Sequence, residues 1–469
     1  TYTILSNGVN LVMSILVAFI VPKLLGVKEY SYWQLYAFYA SYVGFFHFGW
    51  ADGIYLRFGG QRYENLDRSY FATQFWLLVC LEILIALGIA IFSLLFVADT
   101  DKKYIIIMTG VCCIVQIPRT LLQYLLQTTN RIDSFAKNAI LEKGIYAVGV
   151  MFILLFGIRQ YKPLLFVDLL ARGVTLILLC ITCKDIILAP ISNIMSGLQD
   201  ALLNINIGIK LMFGNIASLL ITGIMRFAIE RNWDIETFGK VSLTMAVSNM
   251  IMVFVSAIGI VMYPLLRNIS EEKMRMLYEQ IRSVLMLVVL GLLVFYYPGK
   301  LLLSKWLPQY AESLNYMALL FPICIFESKM SMLINTYLKA LRKEKVIFIG
   351  NWTTVAVSFI CVFLFCYRLH NLTLSIASIT FLSGLKCFIL ETVLSKELQI
   401  HVLRKTIVEI ILVLMFILSG WNINTWLCTI VYTLAYVTYL FIHRKHLALM
   451  AGYIANCLLY TSPSPRGTE

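Results

Sequence analysis

Asn7-Gly-Val-Asn10-Leu-Val-Met-Ser14 and Asn215-Ile-Ala-Ser218-Leu-Leu-Ile-Thr222 set polar residues at the same intervals inside two apolar runs, 208 positions apart. The offset continues without a gap. Tyr55 falls on Tyr263, Tyr70 on Tyr278, Gln127-Thr128 on Asn335-Thr336, Arg131 on Lys339 and Lys137 on Lys345. A repeat of this kind predicts two copies of one helical bundle, each lining a shared seam with polar groups, which is the usual plan of a transporter.

Composition places those bundles in a membrane. Of the 469 residues 60% are hydrophobic and only 13% charged, about half the charged share of a soluble domain. The net charge of +13 does not point to nucleic acid, because the basic residues sit between apolar runs instead of forming one patch. It fits the cytoplasmic excess of Lys and Arg in membrane proteins. Eleven cysteines scatter along the apolar runs. Cys180 and Cys183 form a lone CxxC without a second pair or a nearby His, so it reads as small apolar filling, with no metal and no disulfide framework implied.

Fourteen apolar runs reach the roughly 17–25 residues a span needs. They centre near Ser14, Phe38, Leu84, Val115, Met151, Leu176, Leu219, Met252, Val289, Phe326, Phe359, Thr380, Met415 and Tyr432. The last two are parted only by Asn422-Ile-Asn-Thr425, so twelve or thirteen spans are alternatives. One set of alternate loops is the more basic, and it includes Arg57, Arg62, Arg131, Arg282, Arg342, Lys396, Arg404 and Arg444. The positive-inside bias then puts both termini in the cytoplasm.

The expected fold class is an all-α polytopic membrane protein. It has a six-helix lobe at 1–190, an interfacial linker at 191–207, a second six-helix lobe at 208–398 and two further helices at 399–445. An even number of spans per copy relates the lobes by a pseudo-two-fold along the membrane normal. Thr461–Glu469 breaks in composition from what precedes it and reads as a non-native tail, and a short native start is expected before Thr1.

No GxxxxGK[ST], HExxH or GxSxG motif occurs, and every loop is short. The sequence therefore offers no nucleotide site or hydrolytic centre, and it implies no cofactor and no enzyme.

Ionisable residues inside spans cost about 2.5–3.5 kcal/mol each on the insertion scale, so they face a partner or a cavity. Arg119 shares a helical face with Gln116, Gln123 and Gln127, at spacings of three and four. Such a stripe suits a water-filled cavity in which a guanidinium grips phosphate. Glu82 and Arg119 are also candidates to neutralise each other. Asp168 and Arg172 read as a structural i,i+4 pair. Arg226 extends the Asn215, Ser218, Thr222 stripe, and Glu327 runs into Ser331 and Asn335. Arg226 and Glu391 lie near span ends, where a long side chain can snorkel to the interface. Glu82 and Glu327 are the candidates for carrying a coupling ion. Tyr32, Tyr36 and Tyr39 share a face of the second span, as part of an aromatic belt or as a platform for sugar rings.

Longer stretches carry a resemblance. Pro22-Lys-Leu-Leu-Gly26-Val-Lys-Glu-Tyr30-Ser-Tyr-Trp33 and Phe48-Gly-Trp-Ala-Asp52-Gly-Ile-Tyr-Leu-Arg57-Phe-Gly-Gly60 resemble the oligosaccharide flippase family, the Wzx-type polysaccharide exporters of the multidrug/oligosaccharidyl-lipid/polysaccharide (MOP) superfamily. Gly208-Ile-Lys-Leu-Met-Phe213, Trp233-Asp-Ile-Glu-Thr-Phe-Gly-Lys-Val-Ser-Leu243 and Ile260-Val-Met-Tyr-Pro-Leu-Leu-Arg267 continue it. The resemblance covers residues 1 to 445, and its motifs are diffuse.

It implies two six-helix lobes around a central cavity, in the inner membrane of a bacterium. The implied substrate is a polyprenyl-pyrophosphate-linked oligosaccharide, flipped from inner to outer leaflet with ion coupling, among other polysaccharide-assembly proteins. Basic residues would hold the pyrophosphate, here Arg57, Arg119, Arg226, Lys329 and Lys386. Asn7, Asn10, Asn215, Ser218, Gln116 and Gln123 would line the cavity, and Asp52-Gly53 would form a turn at a helix end. The alternatives are a cation-coupled multidrug exporter of the same superfamily and a membrane-embedded polymerase or ligase.

Overall fold

The computed structural model describes residues 15–267, 271–423 and 425–442, with side chains described outside positions 17, 251 and 253–272. The described secondary structure is helical throughout, without a strand. Helices occupy every expected span centre among these residues, from Phe38 to Tyr432. Ser14 lies outside them.

Eight helical segments are long and apolar enough to cross a membrane, and a ninth qualifies if the pair Ser313–Leu320 and Ile323–Ala340, bent by 40°, is one span. The chain is a multi-pass membrane protein of all-α class. It divides into two compact units, Thr1–Met250 with Val362–His370, and Ile251–Cys361 with Asn371–Glu469.

In the first unit the helices are α1 (Val27–Ala40), α2 (Trp50–Arg57), α3 (Arg68–Phe96), α4 (Thr100–Thr128), α5 (Ile132–Leu155), α6 (Tyr161–Thr182), α7 (Ile194–Asn232) and the start of α8 (Ile235–Arg267). Short polar side chains set where they begin. Asp67 accepts from the Tyr70 amide at the head of α3, Asp99 from Asp101 and Lys102 at α4, and Asn193 from Met195 at α7. Each satisfies amides that the helix itself leaves open.

The second expected span is broken. α1 ends at Ala40, and the chain turns through Phe48 (φ 52°) and Gly49 (φ 86°) before α2 starts. Asp52-Gly53 therefore lies inside α2 and does not form the expected helix-end turn. Gly53 also faces α7 so closely that an added Cβ would collide with the Asn204 carbonyl, and one on Gly208 would meet Gly49 and Gly53. Small residues permit this backbone approach. Most of 191–207, expected as an interfacial linker, is the first part of the 39-residue α7.

The second unit continues with α9 (Glu271–Leu292), α10 (Tyr296–Trp306), α11 (Ile323–Ser328), a π-helical stretch Lys329–Ile334, α12 (Asn335–Ala340), α13 (Glu344–Val362), α14 (Leu372–Glu397), α15 (Leu403–Asn422) and α16 (Trp426–Ile442). Asn371 caps α14 through the Leu374 amide. Tyr432 and Tyr436 on α16 donate to the carbonyls of Leu290 and Leu287 on α9, which fastens the last described helix to this unit.

Candidate functional site

The membrane-embedded charges fall into three settings, and the helices that carry them decide which. The first is a charge-balanced cluster inside the first unit. Arg119 on α4 is buried, donates to Gln116 Oε1 at 2.7 Å, and is paired with Glu142 of α5. Arg172 on α6 reaches the same Gln116 oxygen at 2.8 Å and Asp168 at 2.8 Å. The Tyr36 hydroxyl of α1 donates to that Asp168 carboxylate at 2.8 Å. The expected Asp168–Arg172 pair is present, within a larger network.

Arg119 is not neutralised by Glu82, because Glu142 occupies its guanidinium. Glu82 is fully buried on α3, and neither carboxylate oxygen has a hydrogen-bond partner among the described residues. Gln123 donates to Asn138 at 3.2 Å and is buried, so it ties α4 to α5. Tyr32 and Tyr36 are buried as well, and Tyr39 donates to Glu230 at 3.4 Å, so the shared tyrosine face presents no open platform for a sugar ring.

The second setting is a closed quartet in the second unit. Arg282 of α9 contacts Glu391 of α14 at 2.8 Å and both oxygens of Glu409 of α15 at 2.7 and 2.9 Å. Lys329 reaches the same two acids at 2.7 and 3.0 Å. Thr406 accepts from Arg282 and donates to Glu391, and Tyr278 donates to Glu391 at 3.1 Å.

All four charged side chains are 4% exposed or less. Desolvation of this depth is tolerable only because each charge meets two of opposite sign or their oxygens. Arg282, read from the sequence as a loop cation, is thus interior, and Glu391 does not snorkel. Lys329, expected to hold pyrophosphate, is already saturated by carboxylates.

Arg226 of α7 is the third setting. Its guanidinium sits 4.6 Å from the Phe38 ring centre and 5.3 Å from that of Phe238, and donates once, to Ser242 at 2.9 Å. The Nε is buried without a partner among the described residues. No carboxylate pairs with it among the described residues.

Two solved structures are similar to this arrangement of helices. The lipid II flippase MurJ in an inward closed conformation matches with a TM-score of 0.60 at 12% identity, over 95% of this chain and 98% of that one. An inward-facing multidrug resistance MATE family transporter of the MOP superfamily matches with a TM-score of 0.57 at 13% identity, over 84% and 94%. The chain shares the helical fold of these two structures. Neither a protein-family profile nor a curated protein matches its sequence.

Within this fold the remaining expected site residues scatter. Arg57 spends one nitrogen on Asn204 at 2.6 Å and Tyr70 at 3.2 Å, with Asp200 3.9 Å away. Asn204 is fully buried and also reaches Gln74, which joins α2, α3 and α7. Lys386 is buried on α14, while Asn215 and Ser218 lie on an exposed face of α7. Glu327 is half-buried and accepts from Ser383 at 3.3 Å. Asn7 and Asn10 lie outside the described residues.

Glu142 and Glu409 escaped the sequence reading, although each is an acid within an apolar run and that signal was present. Among the described residues no group of His, Cys, Asp or Glu is arranged to hold a metal.

Proposed function

We propose that the protein is a flippase that carries a polyprenyl-pyrophosphate-linked oligosaccharide across the bacterial inner membrane by alternating access. The observation that carries this reading is Arg226. A guanidinium on a spanning helix, with two aromatic faces, one hydroxyl and no carboxylate, is a cation in need of an anion. Pyrophosphate offers paired acceptor oxygens that match its planar donors. Two of the other candidate cations, Arg119 and Lys329, support the same choice, since they already face carboxylates. An organic-cation exporter would gain nothing from an unpaired Arg. The fold suits a substrate whose polar head needs shelter while its tail stays in lipid.

Ion coupling belongs to the same proposal, with Glu82 as the carrier and Glu327 beside Ser383 as the second candidate. A carboxyl group with no partner and no water exposure is a setting in which a proton is exchanged as helices move.

The test is binding of a polyprenyl-pyrophosphate oligosaccharide to purified protein. Arg226→Ala is expected to weaken binding about tenfold or more, the size of one lost charge-assisted contact. Arg119→Ala serves as the comparison. Equal binding by wild type and Arg226→Ala moves the pyrophosphate elsewhere. No binding, with uptake of a cationic dye instead, overturns the flippase in favour of a drug exporter.

A further inference from the structure

The turn that joins α14 to α15 encloses a pocket of about 570 Å³ that nothing in the proposed transport cycle uses. Its size is that of small-ligand pockets, about 300–1,000 Å³. Lys396, His401 and Arg404 stand on its rim, and all three are exposed. No carboxylate pairs with them among the described residues. The neighbouring acids are spent elsewhere: Glu397 on Lys343 at 3.0 Å, and Glu391 and Glu409 in the buried quartet.

The wall is apolar, with Phe388 on α14 and Leu403, itself 54% exposed, at the start of α15. α15 begins at the same place, and its N-cap, Val402, provides no side-chain cap and no acid follows in the first turn. The unsatisfied amides there add to the positive potential of the rim.

Position supplies the remaining constraint. α14 is one of the membrane-crossing helices, and Lys396 is in its last turn, so the pocket lies where hydrocarbon gives way to headgroups. A basic rim over an apolar wall at that depth complements one ligand chemistry, a phosphate diester carried on an acyl chain.

We propose that this pocket binds an anionic glycerophospholipid, with the phosphate on Lys396, His401 and Arg404 and the proximal acyl carbons on Phe388 and Leu403. Thr406 and Glu391 line the pocket and also belong to the quartet. A bound lipid therefore rests against the ion cluster that ties α15 to α9 and α14, and it stiffens this end of the unit.

The experiment uses the full chain purified in a neutral detergent, with phosphatidylglycerol, phosphatidylcholine or inorganic phosphate added at matched concentration. Lipid retention is read by native mass spectrometry and stability by thermal unfolding. Wild type is expected to retain phosphatidylglycerol at least about tenfold over phosphatidylcholine, the preference that one to two basic contacts supply, and to melt several degrees higher with it.

In Lys396→Gln/Arg404→Gln the preference is expected to fall below about twofold. The melting temperature without lipid should not change, because neither side chain makes a bond within the described residues. Lys343→Gln, which removes an exposed cation outside the pocket, keeps the preference. If the double variant does not purify, Arg404→Gln alone must lower the preference.

Equal retention of the two lipids by wild type overturns the proposal, and so does an undiminished preference in the rim variants. An equal thermal shift from inorganic phosphate overturns it as well, by making the pocket a free-anion site.

Discussion

Arg226 and Lys329 are both cations on apolar helices, and the fold treats them in opposite ways. Lys329 is surrounded by two carboxylates, and Arg226 has none among the described residues. Lys329→Ala would leave Glu391 and Glu409 to share Arg282 alone, at 1–4% exposure. Breaking a buried pair from one side typically costs about 3–5 kcal/mol, and denaturation in detergent should register a loss of that size. Adding Glu409→Gln restores one anion to one cation, so the double variant should recover part of the loss. An additive double variant would mean the four charges do not act as a network.

The sequence made the candidates visible at this scale, because any ion inside an apolar run stands out. Partners were not legible. Lys329 meets acids 62 and 80 positions away, and Arg282 meets Glu409 127 positions away. No local spacing encodes such distances, so Lys329 read the same as Arg226.

Elements were more legible than contacts. Apolar runs long enough to span become helices wherever the structure describes them, since a backbone in lipid must satisfy its own hydrogen bonds. Boundaries followed other rules. The connection from Lys184 to Ile207, whose 191–207 part was expected as an interfacial linker, contains Pro190, Asn193 and Gly197. Asn193 is instead the cap from which α7 starts, and Gly197 accepts a hydrogen bond from Gln74 at 2.9 Å.

Other small residues, Gly53 and Gly208, allow α7 to meet α2. Gly208→Ala is expected to push those helices apart and to cost about 1–3 kcal/mol, as overpacking does. Ala at Gly44, where a Cβ meets nothing within 4 Å, is the control. Equal melting temperatures for wild type and Gly208→Ala would mean the crossing is looser than the backbone distances require.

At the scale of the molecule, the 208-residue offset keeps a physical echo. Tyr70 and Tyr278, 208 positions apart, each place a hydroxyl on a polar hub that joins several helices, Asn204 with Arg57 in one unit and Glu391 in the other. The hubs are built from different residues, so the two positions share a placement and not a chemistry.

Glu82 has no counterpart of that kind. In the proposed flippase, Glu82→Gln should leave lipid-oligosaccharide binding within about twofold, because the group contacts no cation. It should also flatten the pH dependence of transport in proteoliposomes, since an amide cannot release a proton. Transport that keeps its full pH response in this variant would move the coupling to Glu327 or elsewhere.

The glycine crossing of α2 on α7 also sets an order of events during synthesis. α2 leaves the ribosome about 150 residues before Gly208 does, and chains grow at about 5–20 residues per second. For roughly seven to thirty seconds, Arg57, Tyr70 and Gln74 have been made without Asn204, the residue that later joins them. The first unit is therefore assembled late, when α7 arrives and closes over α2. Until then the nascent chain holds an unfinished polar face, which whatever inserts it must keep sheltered from lipid.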